Sequence, residues 1–493
     1  MLEYIKQQAN KTYTENGAAA YESTGSYCLD LFSTVGAIRE KSERNIIDRF
    51  IRAFYEDRDY AMKILFFARD IRGGLGERRV FRIILKWLAQ NEPQSVRKNI
   101  QYIAEYGRFD DLLTLFDTPC EDDMLDIIKA QLRTDTLALE NAENVSLLAK
   151  WLPSINTSNA TSRQYAKRIA NAIGLSLADY RKTLSRLRAQ IKIIENNLRQ
   201  KDYTFDYSKQ PSRAMFKYRA AFYRNDAERY MAFLSDVCSG KATLHADNVA
   251  PYELVLPYFD FDFTTDSFIR NMNDEEKQTL NATWAALDDY CSDENAIAVV
   301  DTSGSMYWNG GIPAAVALSL GLYFAEHNTG RFKNCFIEFS ARPKLIEIKG
   351  DSFADKLRYI GSFCEVANTN LQAVFDLILN AAVEHDVPQS EMPKKLYIIS
   401  DMEFDCCIND ASSTVFENAR QFYAKHGYTL PQIVFWNVDS RNHQQPVMQI
   451  ELGVALISGV TPKIFDMVIS GTLSPYSFMV EVLNRERYAK ITA

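Results

Sequence analysis

The chain has 493 residues, 47% of them hydrophobic and 24% charged, with a formal net charge of -8 at pH 7. That length accommodates two or three domains with full cores, and the composition excludes an intrinsically disordered chain. The acidic total conceals a strongly basic segment, so charge has to be read locally.

The amino terminus, Met1 to Gln8, has no apolar core of the kind a secretory signal needs. The longest apolar stretch, Gly311 to Ala325, is too short to span a bilayer and ends at Glu326. Eight cysteines are scattered without a Cys-x-x-Cys pair, which suits reduced thiols. A soluble, cytoplasmic protein is expected.

From about Glu43 to Tyr230 the pattern is helical. Ile46, Ile47, Phe50, Ile51 and Phe54 form one apolar stripe; Met62, Leu65 and Phe66 form a second, and Val80, Ile83, Ile84 and Trp87 a third. Breaks near Glu56-Asp57, Arg72-Gly74, Asn91-Pro93, Tyr106-Gly107 and Thr118-Pro119 leave helices of ordinary length, arranged as a helical repeat array over residues 1–258, with few strand signals before about residue 290. The Arg69–Arg79 stretch holds three glycines among cations. It is either a helix-to-helix turn with positive φ or a phosphate cradle at the next helix's N-terminus.

Between Thr161 and Asn225 there are fifteen Lys or Arg against four acids, giving about +11 for this segment and about -19 for the rest. Tyr203, Phe205, Tyr207, Phe216, Tyr218, Phe222 and Tyr223 are interleaved. Phosphates could meet Arg181, Lys182, Arg186, Arg188, Lys192, Arg213, Lys217 and Arg219 while bases stack on the rings. Equally, these could be solvated helix faces whose rings fill the core.

Residues 259–293 read as a helical connector. From residue 294 strands alternate with helices: strands near 296–300, 334–339, 344–348, 395–400, 432–438 and 454–458, helices near 312–327, 352–361, 371–384, 412–425, 462–470 and 475–490. This order predicts a doubly wound, Rossmann-like parallel sheet with an antiparallel edge hairpin. The first strand, Ala296 to Val300, runs into Asp301, Ser303 and Ser305. Ligands of such folds gather at the carboxyl ends of strands, and a hard divalent cation would find oxygen donors there.

The Asp-x-Ser-x-Ser sequence resembles the metal-ion-dependent adhesion site of von Willebrand factor A domains. That resemblance implies a threonine from a second loop and an aspartate from a third; Thr369, ahead of the helical pattern Leu371 to Glu384, and Asp401, after the apolar strand Lys395 to Ser400, stand in those places. Magnesium, or manganese, with neutral hydroxyl ligands would stay electron-poor and recruit a partner's carboxylate. A helical array before such a domain resembles the Ro autoantigen (TROVE) proteins, in which HEAT-like repeats form a ring. Segments Arg69–Arg78, Pro211–Lys217, Ser400–Asp405, Val434–Asn437 and Leu456–Gly459 are similar to the uncharacterised family numbered 2828 among domains of unknown function.

Enzymatic chemistry finds little support. No Gly-x-x-x-x-Gly-Lys-Ser/Thr, Gly-x-Ser-x-Gly or His-Glu-x-x-His occurs. A haloacid-dehalogenase phosphotransferase would need a second aspartate where Ser303 stands. The expectation is a non-enzymatic, Ro-like component that binds structured or single-stranded RNA. The alternative is an adaptor whose metal captures an Asp or Glu of a protein partner; neither involves a membrane or a nucleotide cofactor.

Overall fold

A computed structural model describes residues 9–191, 193–246, 249–260, 267–291, 295–363, 369–405, 415–468 and 474–493. The chain forms two compact units, each discontinuous in sequence: Met1–Glu40 with Tyr207–Arg485, and Lys41–Asp206 with Glu486–Ala493. The boundaries at 258 and 293 drawn from sequence both fall inside the first unit.

The first unit opens with a short antiparallel hairpin, β1 (Lys11–Tyr13) and β2 (Ala19–Tyr21). Strands of three residues carry no readable alternation, which is why sequence patterning points to no strand there. A six-stranded sheet follows, made of β3 (Ala296–Asp301), β4 (Cys335–Phe339), β5 (Lys344–Glu347), β6 (Lys395–Ser400), β7 (Gln432–Asn437) and β8 (Val454–Ser458). Its order is β5-β4-β3-β6-β7-β8, parallel throughout except that β5 runs antiparallel to β4. Both β3 and β6 are buried along their whole length, as strands with apolar centres covered on two faces should be.

Side chains alternate between those faces. Ile297 and Val299 share a core with Val374 and Phe375 of the helix Leu371–Glu384 and with Phe416 and Tyr423 of the helix Val415–Lys425. Val300 points the other way, toward the helix Ile312–His327; a Cβ on Gly321 would lie 2.3 Å from its Cγ2. That glycine lets an almost entirely buried helix lie directly on the strand. The expected helix at 475–490 ends at Leu483.

The second unit is helical, with principal helices Glu43–Glu56, Arg58–Arg69, Arg78–Asn91, Glu121–Glu140, Ala160–Ile173 and Leu177–Ile191. Ser42 and Asp57 cap the first two by accepting from Asn45 and Tyr60 amides. The glycine turn after Arg69 is structural. Leu75 N donates to Phe67 O at 3.1 Å and Gly76 N to Asp70 O at 3.1 Å, and Asp70 is fully buried in the bend. A carboxylate, and not an anion-binding loop of free backbone alone, thus sits inside the turn.

Candidate metal and partner site

The sheet order changes direction between β3 and β6: the chain leaves β3 for β4 on one side and returns to β6 on the other. Val300 pairs with Ile399, which brings Asp301 and the Ser400-Asp401 pair together at the carboxyl ends of adjacent strands. This is the crevice in which open α/β sheets hold ligands.

Asp301 is completely buried. Ser400 Oγ donates to its Oδ2 at 2.6 Å and Ser303 N to its Oδ1 at 2.8 Å. Ser303 and Ser305 hydroxyls lie 3.1 Å apart. Asp401 is 3% exposed and accepts from Glu403 N at 3.2 Å. Met402 then adopts φ 66, a left-handed conformation uncommon for such a side chain, which turns the chain sharply behind the carboxylate.

Two buried carboxylates repel. Burial raises the Asp301 pKa above the usual carboxylate range despite the Ser400 and Ser303 hydrogen bonds. Asp401 is pushed up to about 7, by burial first and by Asp301 second, against the opposing pull of Arg441 and Ser305. Asp401 Oδ2 has no hydrogen-bond partner; it faces Arg441 Nη2 at 3.2 Å, out of hydrogen-bond alignment. An orphaned carboxylate oxygen beside a second buried carboxylate and two hydroxyls is a donor set that fits a hard divalent cation. Among the described residues no group of three or more His, Cys, Asp or Glu is arranged to hold a metal. On these two loops the candidate ligands are Asp301, Ser303, Ser305 and Asp401, with Thr369 as the candidate from the second loop.

Thr369 sits one residue before Asn370, the cap of the helix Leu371–Glu384. Its hydroxyl donates to Asp405 Oδ2 at 3.1 Å, and its amide also reaches that oxygen. Thr369 thus joins the third loop through Asp405, whose charge also acts on Asp301. Ser400, Glu403, Asp405 and Arg441 complete this neighbourhood without having been singled out as site residues. The acid-rich Ser400–Asp405 run was the signal for the first three, and Arg441 had none.

The basic segment is divided. Arg181, Lys182 and Arg186 are exposed on the helix Leu177–Ile191 of the helical unit. Arg188 of the same helix is turned inward, donating to Ala149 O at 2.8 Å, Leu152 O at 2.7 Å and Ser154 Oγ at 2.7 Å. Burial lowers its pKa, and its role is to hold backbone carbonyls. Lys192 lies outside the described residues. Arg213, Lys217 and Arg219 belong to the other unit, on the helix Ser212–Cys238. Arg213 pairs with Glu253 at 3.0 Å, and Arg219 donates to Phe216 O at 2.7 Å above that residue's ring. Lys217 is exposed beside the Tyr218 ring. Tyr207, Phe222 and Tyr230 are buried and pack on one another at centroid distances of 5.2 to 5.3 Å, so these rings build core and offer no stacking platform.

Among the described residues no helix is long and apolar enough to cross a membrane. The family described as Domain of unknown function (DUF2828) matches residues 14–129 and 161–295, and that described as Domain of unknown function (DUF7788) matches residues 295–482. The chain is 29% identical to Uncharacterized protein L728 of Acanthamoeba polyphaga mimivirus over 96% of its own length and 87% of that protein's. A distant likeness to the Deinococcus radiodurans RO (RSR) protein covers 94% of this chain and 100% of that one, at 11% identity and a TM-score of 0.34.

Proposed function

The chain belongs to the DUF2828 family, and from that premise we propose that it is a non-enzymatic adaptor whose sheet unit is a von Willebrand A-type module binding magnesium or manganese. The observation that supports this is the Asp301 and Asp401 pair, buried together with an orphaned oxygen at the switch point of the sheet. Asp301 and Asp401 would hold the ion with Ser303 and Ser305, and Thr369 would hold the third loop in place through Asp405. When bound, the ion supplies a Lewis-acidic position for an outside carboxylate. Ser400 and Ser303 orient the Asp301 carboxylate, and Met402 aims the loop that carries Asp401.

Manganese titration followed by electron paramagnetic resonance tests this reading. One site is expected in the parent and none in Asp301→Ala. Adding an Asp-containing peptide should lower water relaxation by bound manganese. A parent without a site, or an Asp301→Ala variant that binds like the parent, overturns it.

A second reading, RNA binding, draws support from Arg181, Lys182 and Arg186, three exposed cations on one helix. Phosphate contacts there would make affinity fall steeply with salt. Arg188, Arg213 and Arg219 already serve protein contacts, so any footprint is smaller than the charge count of the segment implies.

A further inference from the structure

Among the described residues, Arg441 is the cation drawn against the carboxylate pair. Its Nη2 lies 3.2 Å from Asp401 Oδ2 and its Nη1 2.8 Å from Glu15 Oε2, while its side chain is 14% exposed. Its Nε is buried without a hydrogen-bond partner, and its guanidinium lies 5.8 Å from the ring of Trp308, which is 64% exposed.

Glu15 belongs to the turn of the amino-terminal hairpin, and that turn is fastened to the third loop of the site. Glu15 N donates to Glu403 Oε2 at 2.9 Å, Asn16 Nδ2 to Glu403 O at 2.7 Å and Thr14 Oγ1 to Phe404 O at 2.6 Å. Asn442 Nδ2 bridges Glu15 Oε1 at 2.8 Å and Glu403 Oε1 at 2.9 Å. The hairpin, the loop after Asp401 and the loop carrying Arg441 therefore form one polar network.

Resting on the metal reading above, we propose that Arg441 is a built-in counter-cation that competes with a divalent ion for Asp401, so that metal loading shifts Arg441 toward Glu15 and reports to the amino-terminal hairpin. A carboxylate oxygen buried beside a second carboxylate needs positive charge. The guanidinium supplies it imperfectly, at 3.2 Å and out of alignment. A doubly charged ion supplies it better and displaces the guanidinium, which retains Glu15 and the Trp308 face. Arg441 is thus a positioning residue whose charge sets the affinity of the site.

The test measures manganese affinity, together with hydrogen exchange of the hairpin, in the full chain. Arg441→Gln should bind the ion about tenfold more tightly, a coupling of ordinary size between two sites, and Arg441→Lys should return affinity toward the parent. Glu15→Gln, on a half-exposed side chain, should bind more weakly, because Arg441 then rests wholly on Asp401. Exchange in the 11–21 hairpin should change on metal loading in the parent and not in Arg441→Gln. A parent that binds no metal overturns both this inference and the function it rests on. A parent that binds while Arg441→Gln binds equally or more weakly overturns this inference alone.

Discussion

Ser400 Oγ donates to Asp301 Oδ2 at 2.6 Å, tying the carboxyl ends of two neighbouring parallel strands through one buried hydrogen bond. The bond fixes one carboxylate oxygen and leaves the other to the Ser303 amide. Ser400→Ala should therefore keep the fold, at a cost of about 1–3 kcal/mol for a buried acceptor left unsatisfied. It should weaken manganese binding roughly 10- to 100-fold, the usual effect of freeing a ligand from its orienting partner. Urea unfolding and metal titration on the same protein separate the two effects, and unchanged affinity would deny Ser400 an orienting role.

In the helical unit Arg69 and Asp111 form a pair with 2% and 0% exposed side chains, joined at 2.7 Å. Arg82 Nε reaches the other Asp111 oxygen at 2.6 Å, and Arg108 N donates to Asp111 at 3.0 Å. Removing the acid strands buried positive charge. Asp111→Ala should lower stability by about 3–5 kcal/mol, seen as a drop in the urea midpoint, while Arg69→Met with Asp111→Leu should recover part of the loss. Gly107 marks how tightly this cluster is packed, since a Cβ there would lie 2.4 Å from Asp111 Oδ2.

Elements and site residues are legible in the amino-acid sequence wherever their signal is local. The strands at 296–301, 395–400 and 432–437 each hold a continuous apolar run, 296–300, 396–399 and 433–436, and the antiparallel edge strand Lys344–Glu347 is marked by its spacing from Cys335–Phe339. Asp301 and Asp401 can be read because each ends such a run. Arg441 cannot, because it meets Asp401 across 40 residues of chain with no motif between them. Counting charge between 161 and 225 does not distinguish Arg186, which faces solvent, from Arg188, which binds three protein oxygens. The hairpin at 11–21 escapes because its residues pair too briefly to impose a pattern.

That distinction between neighbouring arginines is testable. Reversing charge at Arg181, Lys182 and Arg186 should leave the urea midpoint within experimental error. If RNA is a ligand, the reversal should also flatten the salt dependence, by roughly 0.7 in log-log slope for each single-strand phosphate that is no longer neutralised. Arg188→Ala should do the reverse, destabilising the helical unit with little effect on the slope. Equal behaviour of the two variants would remove the RNA reading from this helix.

The glycine turn after Arg69 makes a last separation, between a ligand loop and a docking point. Asp70 is fully buried and accepts from Arg72 N at 3.0 Å, from Arg487 Nη2 at 2.6 Å and from Tyr488 OH at 3.0 Å. Tyr488 lies 5.9 Å from the ring of Tyr106, Lys490 pairs with Glu105 at 2.6 Å, and the last two residues reach Asn99 and Asp59, so Asp70 holds the start of the 486–493 segment while other partners hold its end. Gly74 permits the bend, because a Cβ there would lie 2.1 Å from Phe67 O. Asp70→Ala should loosen the segment at Arg487 and Tyr488 and should cost about 3–5 kcal/mol through the Arg487 charge left without its partner, seen as a drop in the urea midpoint. Gly74→Ala should act in the same direction through strain. Inorganic phosphate should not stabilise the parent, since the buried Asp70 carboxylate already brings negative charge into the turn; stabilisation by phosphate would restore the ligand-loop reading.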